Sequence, residues 1–110
     1  MELMRAARLH VPSRTLTVEE VPVPSPGPGQ VLVKVEAAGV CLSDVHLIDG
    51  TLTPLHLPGD TVTLGHEVAG TIAELGPGVT GRSVGSRVVL QAGEVRDGRV
   101  LSRGVVYDGG

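Results

Sequence analysis

The chain has 110 residues, enough for one domain and too few for two. Hydrophobic residues are 41% and charged residues 19%, a globular rather than a disordered balance. The net charge is -3 with scattered basic residues, one Tyr is the sole aromatic, and no apolar run approaches the ~18 residues of a membrane span, so nucleic acid and membrane are excluded as partners.

Sixteen glycines and eight prolines argue for short strands and turns rather than helices. Met4 to Leu9 reads as a first strand and Leu16 to Val21 as a second, with Ser13-Arg14 as the turn between them. Pro22 to Gly29 (PVPSPGPG) has four residues without a backbone N–H, so it reads as an extended connector outside any central sheet. Gln30 to Val40 is the clearest strand, with Val31, Val33 and Val35 alternating with Leu32, Lys34 and Glu36. Gly39 ends or bends it. Cys41 to Asp49 makes one or two helical turns, with Ser43 as a candidate N-cap.

Thr51 to Asp60 reads as a loop, and Thr61 to Leu75 contains a second strong strand region over 65–75, whose glycines permit a bulge or a close backbone approach. Gly76-Pro77-Gly78 is a turn and Val84 to Leu90 another strand. Asp97-Gly98 marks a hairpin within Glu94 to Arg99, and Val100 to Val106 is its return strand. No amphipathic helix of a dozen residues is present. The expected class is mainly β, a closed or partly closed barrel with short helical turns.

One cysteine forms no internal disulfide, and no signal peptide is read at the N-terminus, so a cytoplasmic protein is expected. Cys41, His66 and Glu67 are a thiol, an imidazole and a carboxylate, a donor set that suits zinc. An open coordination position would make the metal a Lewis acid on an alcohol or carbonyl oxygen. Ser43 and His46 have groups that pass protons. Asp44 has a carboxylate able to fix the tautomer of a liganding imidazole. Taken singly, each residue has a plainer reading. Cys41 is equally a buried small hydrophobe, Asp44 a charge at a helix N-terminus, and the 25 positions from Cys41 to His66 match no compact metal motif.

In order, the segments VPVP at 21–24, PGPGQVLVKV at 26–35, AAGVCLSD at 37–44, LGHEVAG at 64–70, GPGV at 76–79 and VGSRV at 84–88 resemble the N-terminal, GroES-like catalytic domain of zinc-containing medium-chain alcohol dehydrogenases. The resemblance spans Met4 to Val89, and Gly104 to Gly110 resembles a later turn of that family. It implies a GroES-like, partly open β-barrel. It implies catalytic zinc ligands at Cys41 and His66, with Glu67 as the neighbouring carboxylate. Ser43 and His46 match the family's proton relay and Asp44 the acid that steadies the liganding His. The implied reaction is reversible hydride transfer between a small alcohol and an aldehyde or ketone, with NAD or NADP.

The chain departs from the family pattern in four places. The family's remaining zinc ligand lies beyond this segment. No strand–Gly-x-Gly-x-x-Gly–helix unit for the nicotinamide cofactor is found. Gln91 to Arg103 has no cysteine, so no structural zinc is expected, and Ser86 stands where the family commonly has Asp. Residues 1–110 are therefore expected to be a truncated catalytic domain, inactive alone. An exposed face should drive self-association into a homo-oligomer. Two rival readings remain: a non-enzymatic GroES-like assembly module and a zinc-free quinone-reductase-type member. Retention of Cys41, His66 and Glu67 argues against both.

Overall fold

The computed structural model describes residues 2–54, 59–91, 93–96 and 99–102, the last two ranges as backbone. Strand β1 (Leu3–His10) pairs antiparallel with β2 (Thr15–Pro22) along its whole length, Leu3 opposite Pro22 and His10 opposite Thr15. The other edge of β1 takes β4 (Thr61–Thr63), with Leu9 opposite Val62. A second sheet has the order β3 (Val31–Gly39), β5 (Glu67–Leu75), β6 (Arg87–Val89), all antiparallel. Strands β7 (Gly93–Arg96) and β8 (Arg99–Ser102) form a separate hairpin. One helix, α1 (Leu42–Asp49), follows β3.

The small core forms where α1 lies on the first sheet. Leu9 of β1, Leu47 of α1 and Val62 of β4 have no solvent exposure, with Val11, Ile48 and Leu64 packed around them. Burying each of the three is worth about 1.5–3 kcal/mol. Arg14 reinforces this docking. Its guanidinium donates to the Leu47 carbonyl at 2.8 Å, to the Leu52 carbonyl at 3.2 Å and to the Thr53 hydroxyl at 3.2 Å. The Leu47 carbonyl lies in the last turn of α1, where helical partners run out. Arg14 ends the β1–β2 turn at φ 55°, the one described non-glycine residue at positive φ.

Several expectations change. The strand expected over 65–75 forms as β5, beginning two residues later at Glu67, and Thr61–Thr63 adds a short strand to the first sheet that the sequence did not signal. Gly65, at φ 118°, lies between the two. Strand β6 spans only Arg87–Val89, because Gly85 at φ 92° still belongs to the preceding turn. The alternation of β3 is broken by register shifts between Leu32 and Val33 and between Val35 and Ala37, leaving Val35 exposed. The class itself is as expected: the described residues are mainly β with one short helix, in two three-stranded sheets and a hairpin that stay open rather than closing fully. The N-cap is Cys41 rather than Ser43. Asp97-Gly98 and the 103–106 part of the expected return strand lie outside the described residues.

Other expectations agree with the fold. The connector after β2 is tied down at both ends: Val23 N–H donates to the Glu2 carbonyl at 3.0 Å and Gly29 N–H to the Pro77 carbonyl at 2.9 Å. Gly70 provides the close approach expected within 65–75. A side chain there would begin 2.1 Å from the Lys34 carbonyl oxygen, so β3 and β5 come together only because it has none.

Replacing Arg14 by alanine removes charged hydrogen bonds and keeps the unfavourable φ. We expect urea unfolding to show a loss of about 1–3 kcal/mol. Glycine loses the same bonds but relieves the backbone, so Arg14→Gly should be less harmful by about 1 kcal/mol. Equal losses for the two would remove backbone strain from the explanation.

Candidate metal centre

The two segments with the candidate ligands meet because β3 and β5 pair antiparallel. Their ladder ends with Gly39 opposite Glu67. Cys41 lies two residues past one strand end and His66 one residue before the other strand begins. The turn of register, not sequence spacing, therefore closes the gap. One ligand atom from each of Cys41, His66 and Glu67 lies within 4.8 Å of the other two. Cys41 and His66 are half-buried and Glu67 is exposed.

Asp44 is buried between the segments, at 7% exposure. Its Oδ2 accepts the backbone N–H of Cys41 at 3.0 Å, the N3 side chain satisfying the N-cap donor. A carboxylate in the first helical turn also suits the positive end of the helix. Asp44 Oδ1 stands 3.6 Å from His66 Nδ1. Both atoms are buried and neither has a hydrogen-bond partner. That separation is just beyond hydrogen-bond reach, so a small rotation of the ring joins them.

Ser43 and His46 are separated. Ser43 Oγ lies 3.7 Å from Cys41 Sγ, beside the cluster. His46 is one turn along the same face of α1, with Nδ1 3.6 Å from Asp49 Oδ2. No hydrogen bond joins Ser43 to His46 among the described residues, and His46 is outside the three-residue cluster. Asp49 carries the one clear electrostatic perturbation near this helix. The Thr51 hydroxyl, then the Thr51 backbone N–H at 2.8 Å, and His46 hold its carboxyl below the usual aspartate range.

An open cleft of about 360 Å³ adjoins the cluster, lined by Gly39, His66, Glu67, Val89 and Leu90 among others. Val89 and Leu90 were not among the candidate site residues. They are ordinary apolar letters in a strand, and only the β5–β6 pairing, with Ala69 opposite Val89, brings them beside His66. Gly39 was read only as a strand terminator. The Gly76-Pro77-Gly78-Val79-Thr80-Gly81 run has the glycine spacing of a dinucleotide loop, but β6 follows it instead of a helix.

Residues 27–106 match the model of the alcohol dehydrogenase GroES-like domain family. The chain is 46% identical over 96 residues to an NAD-dependent alcohol dehydrogenase of Sulfurisphaera tokodaii, covering 83% of this chain and 28% of that protein. It is 41% identical over 91 residues to an L-threonine 3-dehydrogenase of Xanthomonas campestris, covering 77% and 25%. Among solved structures it resembles a cobalt and zinc bound thermostable alcohol dehydrogenase from Pyrobaculum aerophilum. There the TM-score is 0.79 at 33% identity, covering 97% of this chain and 36% of the other. The chain thus spans about a quarter of the length of the curated relatives it matches.

The Asp49 geometry makes a pH prediction. A carboxyl depressed in the fold stabilises it above the unfolded pKa, and that contribution is lost as pH falls through the folded pKa. NMR titration should place the Asp49 midpoint below the usual aspartate range. Thr51→Val, which keeps the backbone N–H, should move it part of the way back up. An unchanged midpoint would remove the Thr51 hydroxyl as the main cause.

Proposed function

Because this chain belongs to the alcohol dehydrogenase GroES-like domain family, we propose that residues 1–110 are one domain, the metal-binding part of a zinc-dependent, NAD(P)-dependent alcohol dehydrogenase. The observation that carries this is the convergence of a thiol, an imidazole and a carboxylate within 4.8 Å. That spread is slightly wider than the ~3.5 Å edges of a zinc tetrahedron, a difference that side-chain rotation closes. The unpartnered, buried His66 Nδ1 and Asp44 Oδ1 fit the same assignment. With Nδ1 turned to Asp44, Nε2 is the ring nitrogen left for a metal, and the carboxylate fixes the tautomer.

Cys41 and His66 would hold the zinc, and Glu67 would lie close enough to join or replace a ligand. Zinc at such a site supplies Lewis acidity to an alcohol or carbonyl oxygen. Ser43, with its hydroxyl beside the thiol, would take a proton from a substrate hydroxyl at the metal. His46, one turn further along, would pass that proton outward. The gap between Ser43 and His46 has to be bridged by a hydroxyl or a water. The apolar cleft wall at Val89 and Leu90 suits the carbon portion of a small alcohol, aldehyde or ketone.

Among the described residues the one run with dinucleotide-type glycine spacing, 76–81, lacks its helix, so the nicotinamide nucleotide and its hydride transfer would draw on residues outside these 110. One cysteine is too few for a four-cysteine structural zinc site. Val40, Leu42 and Val89 are exposed near the cluster, which supports self-association of the isolated chain. No described helix is long and apolar enough to cross a membrane.

Equimolar zinc titration tests the assignment. Cys41→Ala and His66→Ala should each weaken binding by about tenfold or more, since each removes a direct ligand. Equal zinc uptake by the parent and both variants would contradict it.

A further inference from the structure

Among the described residues, three glycines lie where an added methyl group would begin less than 3.0 Å from a neighbouring atom, and they differ in what is struck. At Gly70 and Gly76 an added methyl group would begin 2.1 Å from a backbone carbonyl oxygen, that of Lys34 and of Gly27 respectively. Backbone in a ladder or turn cannot give way cheaply, so those glycines serve the fold. At Gly39 the methyl group would begin 2.9 Å from Glu67 Oε2 and 3.3 Å from Glu67 Cβ. The atom in closest conflict is the far end of a flexible side chain. Gly39 is not among the positive-φ residues, so its backbone accepts alanine.

The conflict therefore falls on the position of one carboxylate rather than on the fold. That carboxylate belongs to the cluster with Cys41 and His66. Glu67 is exposed, so a displaced carboxylate is hydrated, and that hydration competes with its approach to the metal. Gly39 is opposite Glu67 in the ladder, two residues before Cys41, and on the cleft wall.

We infer that Gly39 is a positioning residue for the metal centre: its bare Cα is the surface against which the Glu67 carboxylate rests within reach of Cys41 and His66. This rests on the metal assignment above and extends it from the ligands to the absent side chain that places one of them. A second consequence follows from the same contact. Because Gly39 acts only through Glu67, its replacement has no further effect once the carboxylate is gone.

A double-mutant cycle on the 110-residue chain tests this, with cobalt(II) alone as the probe and its visible absorption as the readout of affinity and coordination. Gly39→Ala should weaken cobalt binding about tenfold and change the absorption band. Glu67→Ala should do likewise, and the double variant should match Glu67→Ala alone. Circular dichroism should show the parent fold in all four proteins. Unchanged or tighter binding by Gly39→Ala would overturn the inference, as would an equal loss in the Glu67→Ala background. If Gly39→Ala fails to fold in both backgrounds, the methyl group is rejected by the fold and the inference is likewise overturned. Failure of the parent itself to bind cobalt would instead sink the metal assignment, and this inference with it.

Discussion

Asp44 accepts the Cys41 N–H with one carboxylate oxygen and turns the other toward His66 Nδ1, 3.6 Å away. A carboxylate at 7% exposure is costly unless it is paired and hydrogen-bonded. One oxygen is satisfied by the helix N-terminus, and the second is orphaned until the imidazole turns to it. An imidazole turned to that oxygen would link the two candidate-ligand segments, the start of α1 and the residue that enters β5. A metal held between Cys41 and His66 would complete what the buried carboxylate already begins.

The surrounding architecture keeps those segments in place from two sides. On one side, the β3–β5 ladder ends with Gly39 opposite Glu67, and Gly70 lets the two backbones come close enough to form it. On the other, α1 is seated on the first sheet through Leu47 against Leu9 and Val62, with Arg14 gripping its last turn. The helix thus connects a core in one sheet to a ligand cluster at the rim of the other. The same arrangement leaves Val40 and Leu42 exposed next to Cys41.

The donor residues were legible from their chemistry, and the resemblance placed them in order. Their convergence was not legible from spacing, because an antiparallel register brings together residues distant in sequence. Ser43 was the candidate cap because its hydroxyl can accept a first-turn N–H. The actual cap follows from Asp44, whose carboxylate reaches back to Cys41 N–H and starts the helix earlier. The strand over 65–75 was legible from its apolar, β-branched letters, whereas the three-residue strand at Thr61–Thr63 was too short to signal itself, and Gly65 at φ 118° separates the two between sheets. The alternation in β3 suggested a buried face, and two register shifts undid it. Gly39 was visible only as a strand end, since a missing side chain acquires meaning from what lies against it.

The central claim is that Cys41, His66 and Glu67 form one metal centre. X-ray absorption at the zinc edge of the zinc-loaded chain tests it most directly. The account predicts one sulfur neighbour at about 2.3 Å together with nitrogen and oxygen neighbours at about 2.0–2.2 Å, the sulfur disappearing in Cys41→Ala. A shell of nitrogen and oxygen alone in the parent chain would contradict it.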